Sequence, residues 1–199
     1  MNAVTGISDH IGWAEFVTIG IQNKRPTILD RRRVELVEPG IPSAPYHHEG
    51  LELPLPEATK IIARTRKSIE DHCRRALSQA ISYYKVNGIV LQESPMKQLP
   101  SVVAEVLASR RITCAADGMM YRESLVDAGT QLGLEVSRYP RKSDEVTAAA
   151  QSLGVARTAV AALITNFGRE VGPPWHKEHQ LAAASALRIL SMKSAIRLG

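Results

Sequence analysis

Histidine and acidic side chains lie close together at the start of the last predicted helix. His176 and His179 are three residues apart, so they share one helical face, and Glu178 lies between them. Such a pair of imidazoles can bind a metal ion. The alternatives are a solvated or capping pair of histidines, and a Glu178 that interacts with the helix dipole. The spacing indicates a candidate site and leaves metal binding open.

A second cluster, His47-His48-Glu49, lies in a long predicted loop. Residues 39–54 contain four prolines, and a connection of this length often carries function. Neighbouring side chains in an extended segment point to opposite sides, so the two histidines do not easily bind one ion. We interpret His47 and His48 as candidate ligand-binding residues, close to the other site if the loop folds over the carboxyl ends of the sheet.

The densest basic cluster is Arg31-Arg32-Arg33, in a chain with a formal net charge of +5. On a strand, Arg31 and Arg33 point one way and Arg32 the other. The cluster is either a solvated, salt-bridged face or a binding site for the phosphate of a ligand or nucleic acid. Trp175 follows two prolines at the entry to the last helix. It is a packing residue or a platform on which a base stacks.

Hydrophobic periodicity predicts one α/β domain over residues 1–199. Strands are predicted at residues 4–22, 27–38, 88–94 and 135–139, with a short additional strand near 51–53. Helices are predicted at residues 56–85, 100–109, 117–132, 143–154, 156–167 and 176–193. The first of these ends at Asn87-Gly88, and Ser143-Asp144-Glu145 opens a later one with a good cap. We expect three layers, with helices on both faces of a mixed sheet that starts with an antiparallel hairpin.

Composition is ordinary for a globular protein, with 44% hydrophobic and 23% charged residues. Cys73 and Cys114 have no C-x-x-C partner and lie in apolar helical context, so we expect two buried, reduced thiols in a cytoplasmic protein. The N-terminus does not have the pattern of a signal peptide, and no apolar run is long enough to span a membrane. The sequence contains no phosphate-binding loop, dinucleotide-binding motif or hydrolase nucleophile elbow.

The order of these elements is similar to that of the ribonuclease-H-like superfamily. The segment Gly6-Ile7-Ser8-Asp9-His10-Ile11-Gly12-Trp13-Ala14 resembles the first strand of its Holliday-junction-resolvase branch. The run Leu181-Ala182-Ala183-Ala184 resembles part of the last helix of that branch. The chain also resembles, over nearly its whole length, a group of bacterial proteins without an assigned activity, through Asp30–Leu36, Pro45–Glu49 and Gly172–Trp175.

The resemblance to the resolvases implies a site in which carboxylates converge from strands and the last helix. It gives catalytic and metal-binding roles to Asp9, Glu93 and Glu178, with His176 or His179 as a nitrogen ligand. Such nucleases hydrolyse phosphodiester bonds with two Mg²⁺ or Mn²⁺ ions, which prefer carboxylate oxygens.

The sequence supports three functional hypotheses. The first is a divalent-metal-dependent phosphodiester hydrolase that acts on nucleic acid. The second is a non-catalytic ribonuclease-H-like module that binds nucleic acid or a phosphorylated ligand through Arg31–Arg33. The third is a homo-oligomeric interaction protein, joined through its last helix or first hairpin. Asp117 is either a fourth acid of the site or the cap of the helix predicted to begin there.

Overall fold

The computed structural model describes residues 3–193 as a five-stranded sheet with helices on both faces. The strands are β1 (Ala3–Asp9), β2 (Trp13–Gln22), β3 (Arg25–Glu35), β4 (Val86–Gln92) and β5 (Glu135–Tyr139). The helices are α1 (Glu49–Glu52), α2 (Leu55–Tyr84), α3 (Val103–Leu107), α4 (Arg110–Gln131), α5 (Glu145–Leu153), α6 (Arg157–Val171) and α7 (Lys177–Lys193). No single helix in this range is long and apolar enough to cross a membrane; α5 and α6 reach that length and composition only together, with a bend of 113° between them.

Two antiparallel hairpins form one side of the sheet, where β1 pairs with β2 and β2 pairs with β3. The prediction of a single first strand over residues 4–22 is wrong. The chain reverses between β1 and β2, where the His10 N–H donates to the Trp13 carbonyl at 2.8 Å and Gly12 has a φ of 90°. The polar run Ser8-Asp9-His10 precedes this turn, but Ile11 and Trp13 on either side of Gly12 continue the apolar pattern, so the glycine is the clearest sign of a reversal. The predicted second strand is β3, and the expected hairpin is the β2–β3 pair.

The strand order is β3-β2-β1-β4-β5, and β4 lies parallel to both β1 and β5. The long α2 makes the crossover from β3 to β4, as its length and apolar periodicity predict. This mixed pairing confirms the expected sheet. Because β1, β4 and β5 are parallel, their carboxyl ends lie at the same edge, which is where open α/β sheets place their sites.

Two cores lie on opposite faces of the sheet. On one face, Ile7 and Phe16 pack with Leu77 of α2 and Met120 of α4. On the other face, Val17 and neighbouring strand residues pack against α6 and α7. Successive strand residues alternate between these cores, since strand side chains have a period of two. The three-layer prediction is therefore confirmed.

Close packing brings the start of α7 to the end of β1. A Cβ atom at Gly6 would lie 1.8 Å from the carbonyl oxygen of Ala182, so only glycine permits this approach. Ala182, Ala183 and Ala186 of α7 are all fully buried. The alanine-rich run thus serves to bring a helix backbone against the central strand.

Several helix boundaries differ from the predictions. Residues near 51–53 do not form a strand, because α1 occupies Glu49–Glu52. The long helix ends at Lys85, which is left-handed with a φ of 52°, whereas Asn87 and Gly88 lie in β4. Asp117 lies inside α4 rather than capping it, because that helix already begins at Arg110.

Two further side-chain predictions have different outcomes. Asp144 does cap α5, since its carboxylate accepts hydrogen bonds from the N–H groups of Val146 and Thr147, both at 3.1 Å. Cys73 is buried as expected, but the prediction for Cys114 is wrong, because this thiol is exposed. It lies on the outer side of α4, next to the buried Thr113.

Candidate functional site

A cavity of about 250 Å³ lies at the shared carboxyl edge of β1, β4 and β5, beside the first turn of α7. Its walls combine acidic, basic and neutral side chains from five separate parts of the chain. They are Ser8, Asp9, His10, Gln92, Arg122, Tyr139, Lys177, Glu178 and Leu181. The topology explains why the strand and α7 residues meet, because parallel strands end together and Gly6 lets α7 approach them, whereas Arg122 reaches the cavity from α4.

Asp9 and Arg122 form a two-pronged ion pair inside this cavity. The Arg122 Nε donates to one Asp9 carboxylate oxygen at 3.2 Å, and its Nη2 donates to the other at 2.8 Å. Its Nη1 donates to the backbone carbonyl of Glu93 at 3.1 Å. The side chains of Asp9 and Arg122 are only 3% and 10% exposed. Such buried, bidentate pairs are the strong ones, and both carboxylate oxygens are occupied.

The three predicted acids have different positions. Asp9 and Glu178 line the same cavity, as the resemblance implied. The Glu93 side chain is exposed and does not line it, whereas the preceding residue, Gln92, does. The register of β4 therefore presents an amide where a carboxylate was predicted, and Glu93 contributes its backbone carbonyl instead.

The donor set of the cavity does not fit a divalent cation. A hard ion needs several free oxygen ligands, mainly carboxylates. Both Asp9 oxygens face a guanidinium, and the ammonium group of Lys177 adds a second positive charge to the walls. Within residues 3–193, no group of three or more histidine, cysteine or acidic side chains is placed to hold a metal ion.

His179 is part of the packing under the start of α7. Its Nε2 lies 3.0 Å from a carboxylate oxygen of Glu15, and its Nδ1 accepts a hydrogen bond from the His176 N–H at 3.0 Å. The Trp175 ring stacks on it at a centroid distance of 5.5 Å. Burial lowers the pKa of His179, because it disfavours the charged imidazole. Neither this histidine nor the exposed His176 lines the cavity.

The three arginines of β3 alternate as the strand period requires. Arg31 donates to the backbone carbonyl of Pro174, on the α7 side of the sheet. Arg32 pairs with Asp30 and lies 5.5 Å from the ring centroid of Tyr84, on the α2 side. All three guanidinium groups are thus engaged with the protein itself, because the Arg33 Nε donates to a carboxylate oxygen of Glu35 at 3.0 Å.

Arg33 begins a stack of three side chains that leads to the cavity. Its guanidinium carbon lies 3.9 Å from the ring centroid of Trp13. The Trp13 ring in turn stacks on the His10 ring at 4.1 Å, with an angle of 14° between the planes. His10 also lines the cavity next to Asp9. We call this arrangement the Arg33–Trp13–His10 column.

The His47-His48 loop is anchored on α4 and does not line the cavity. The Asp117 carboxylate accepts the backbone N–H groups of Tyr46 and His47 at 3.0 and 2.9 Å. Burial raises the pKa of Asp117 to about 6, and these two hydrogen bonds partly oppose the shift. This acid therefore fixes the loop rather than joining Asp9.

Several residues of the site were missed by sequence reasoning. Arg122 shares a face of a predicted helix with the apolar Met119 and Leu125, and a charge on a buried face is a usable sign that a partner exists. Trp13 and His10 flank the turn that was not predicted. Gln92 and Lys177 are neighbours of the residues that were chosen, so only the register of β4 and α7 could distinguish them.

Comparison with known proteins supports the fold. No family model matches the chain, and no curated protein sequence matches it either. A solved structure described as Thermus thermophilus RuvC in complex with a Holliday junction substrate is similar with a TM-score of 0.56 and 14% identity, over 96% of this chain and 94% of that chain. A second Thermus thermophilus RuvC structure gives a TM-score of 0.54 and 13% identity, over 95% and 93%. The chain therefore has the ribonuclease-H-like α/β fold of RuvC, at remote sequence similarity.

Proposed function

We propose that this protein binds nucleic acid through its RuvC-like fold and does not hydrolyse it at the Asp9 cavity. The observation that carries this proposal is the ion pair in which Arg122 takes both oxygens of Asp9. The pair places a guanidinium directly against the carboxylate that would otherwise coordinate a catalytic metal ion. The positive charge beside the Asp9 carboxylate is therefore a side chain of the protein itself.

Electrostatics favour this arrangement over a metal-dependent hydrolase. Two unit charges about 4 Å apart interact by about 4 kcal/mol near a protein surface, and a divalent ion doubles the repulsion from a guanidinium. A metal ion that displaced Arg122 from Asp9 would also leave that guanidinium, 10% exposed, without its partner. Hydrolysis with Mg²⁺ or Mn²⁺ therefore requires Arg122 to leave the site, and Glu178 is the one other cavity acid.

Nucleic acid is the partner class that the surface beside the cavity suits best. The Arg33–Trp13–His10 column combines a cation with two stacked rings, and Arg33 is 53% exposed. Single-stranded segments and unpaired bases stack on such aromatic and guanidinium groups. Lys177 adds positive charge at the cavity, and the whole chain carries +5. The similar RuvC structure contains a Holliday junction, so a branched DNA is a reasonable first ligand.

Fluorescence anisotropy with a labelled four-way junction, a duplex and a single strand tests this proposal. Binding should weaken steeply between low and physiological salt, because phosphate contacts release counterions. It should be equal in EDTA and in Mn²⁺, and the DNA should stay intact. Cleavage in Mn²⁺ that Asp9→Asn abolishes would establish the hydrolase instead. Lack of binding to all three DNAs at low salt would refute the proposal.

Two variants locate the binding surface. Arg33→Ala should weaken binding about tenfold, since stacking on a guanidinium or aromatic group contributes about 1–3 kcal/mol per base. Arg75→Ala is the matched control, because Arg75 is exposed on α2, across the sheet from the column. Equal losses in both variants would show that charge alone attracts DNA and that the column is not the contact.

A further inference from the structure

Cys114 and His47 form a pair of reactive groups on the surface of α4, outside the Asp9 cavity. The Cys114 Sγ lies 3.0 Å from the His47 Nδ1, and the thiol is exposed. The other cysteine of the chain, Cys73, is fully buried. A thiol and an imidazole at this distance have the geometry of a nucleophile and its base.

The position of the imidazole is fixed from the protein side. The His47 N–H donates to Asp117 at 2.9 Å, and Asp117 lies one helical turn after Cys114 on α4. The Tyr46 N–H donates to the other oxygen of Asp117 at 3.0 Å. The His48 ring packs edge-on against the His47 ring at 4.7 Å. The backbone of the loop is therefore tied to the same helix that carries the thiol.

Basic and imidazole side chains are the neighbours of this pair in the chain. Arg110 and Arg111 are exposed residues one turn before Cys114 on α4. On the loop side, His47 and His48 are the nearest titratable groups, followed by the acidic Glu49. The carboxylate of Asp117 is occupied by backbone N–H groups. Basic and imidazole groups near a partly exposed cysteine are the usual setting of a reactive thiolate.

Cys73 shows the opposite behaviour within the same chain. It lies in the core on α2, and burial raises the pKa of its thiol far above the usual range. Such a thiol stays protonated and serves as a small apolar residue. The contrast makes Cys73 an internal reference for any reaction at Cys114.

We propose that Cys114 is a nucleophilic site for hydroperoxides, with His47 as its general base. The His47 Nδ1 takes the thiol proton, which requires that the resting imidazole carries its proton on Nε2. The thiolate then attacks one peroxide oxygen, so that an S–O bond forms and the O–O bond breaks. The leaving hydroxide or alkoxide takes the proton from His47 and departs as water or alcohol. The sulfur is oxidised to a sulfenic acid and the peroxide is reduced.

The rate of alkylation by iodoacetamide at neutral pH, read by peptide mass, tests the nucleophile directly. Cys114 should react faster in the native protein than in the urea-unfolded chain, where the imidazole no longer lies beside it. Exposure alone can at most make the two rates equal. Cys73 should react only after unfolding. A native rate for Cys114 at or below the unfolded rate would overturn the proposal. The experiment uses only the wild-type protein, so its outcome does not depend on whether a variant folds.

Two variants of the loop assign the base. An ordinary thiol is only a few per cent thiolate at neutral pH, so His47→Gln should slow alkylation of the native protein by roughly tenfold or more. His48→Gln is the matched control, because it changes the adjacent ring and leaves the contact to Sγ intact. Treatment with hydrogen peroxide, followed by dimedone, should label Cys114 in wild type and His48→Gln more than in His47→Gln. Equal rates in the two variants would refute the role of His47.

Discussion

Replacing Arg122 by Met isolates the energetic role of the ion pair at the Asp9 cavity. The change keeps the apolar stem and removes the guanidinium, so the Asp9 carboxylate stays buried without its partner. With Asp9 3% exposed and Arg122 10% exposed, water reaches neither group well. Breaking a pair of this kind costs about 3–5 kcal/mol. The lost hydrogen bond to the Glu93 carbonyl adds to the effect.

Urea unfolding measures this free energy. A loss of about 3–5 kcal/mol, at an m value of about 2–3 kcal/mol/M, shifts the midpoint by about 1–2.5 M. The double variant Asp9→Asn with Arg122→Met removes both charges, so its loss should be clearly smaller than the sum of the two single losses.

Arg157→Met supplies the control for this experiment. It breaks the exposed pair with Asp144, whose side chains are 58% and 50% exposed, and should change the free energy of unfolding by less than about 1 kcal/mol. If Arg122→Met is no more destabilising than Arg157→Met, or if the two single losses simply add, the buried pair does not hold this site together.

Three other expectations concern packing and pH. Gly6→Ala should lower the free energy of unfolding in urea by about 1–3 kcal/mol or more, because its Cβ meets the Ala182 carbonyl. Gly118→Ala is the control: no atom lies within 4 Å of its new Cβ, so it should raise that free energy by up to about 1 kcal/mol. Equal effects of the two variants would refute the close approach of α7 to Gly6. Asp117 has a raised pKa of about 6, against 3.8 when unfolded, so its contribution to stability is present below pH 3.8 and is lost as the pH rises through 6. In Asp117→Asn, the free energy of unfolding should therefore fall less between pH 3.8 and 6 than in wild type. The same fall in both proteins would contradict burial of this acid. His179 has a pKa lowered from 6.5, so its stabilising contribution is present above pH 6.5 and is lost as the pH falls below that value. Thermal melts at several pH values should therefore show a smaller loss of stability at low pH for His179→Gln than for wild type.

Much of the fold could be predicted from the sequence because apolar periodicity is a local property. The 30-residue α2 and the short β5 follow directly from their patterns. The turn between β1 and β2 could not be found this way, since apolar residues continue on both sides of Gly12. The start of α4 was also missed, although Ser109, of a type that favours the N-cap, directly precedes it; its side chain makes no capping hydrogen bond.

The candidate site could be predicted only in outline. The resemblance to the resolvases and the parallel strands place Asp9 and Glu178 at one edge, and both line the cavity. The side-chain period of β4 then decides between Gln92 and Glu93, and a prediction off by one residue reverses which side chain faces the cavity. Arg122 belongs to a helix on a different layer, so its approach to Asp9 depends on tertiary packing that no local pattern records.

Binding of Mn²⁺ to the metal-free protein, followed by electron paramagnetic resonance of the free ion, tests most directly whether Arg122 has replaced a metal ion at Asp9. If the guanidinium holds the carboxylate as the distances of 2.8 and 3.2 Å indicate, wild type and Asp9→Asn should give the same weak, unsaturated uptake of Mn²⁺. Saturable, stoichiometric binding by wild type that Asp9→Asn abolishes would contradict this account, and would restore the metal-dependent hydrolase as the better description of the site.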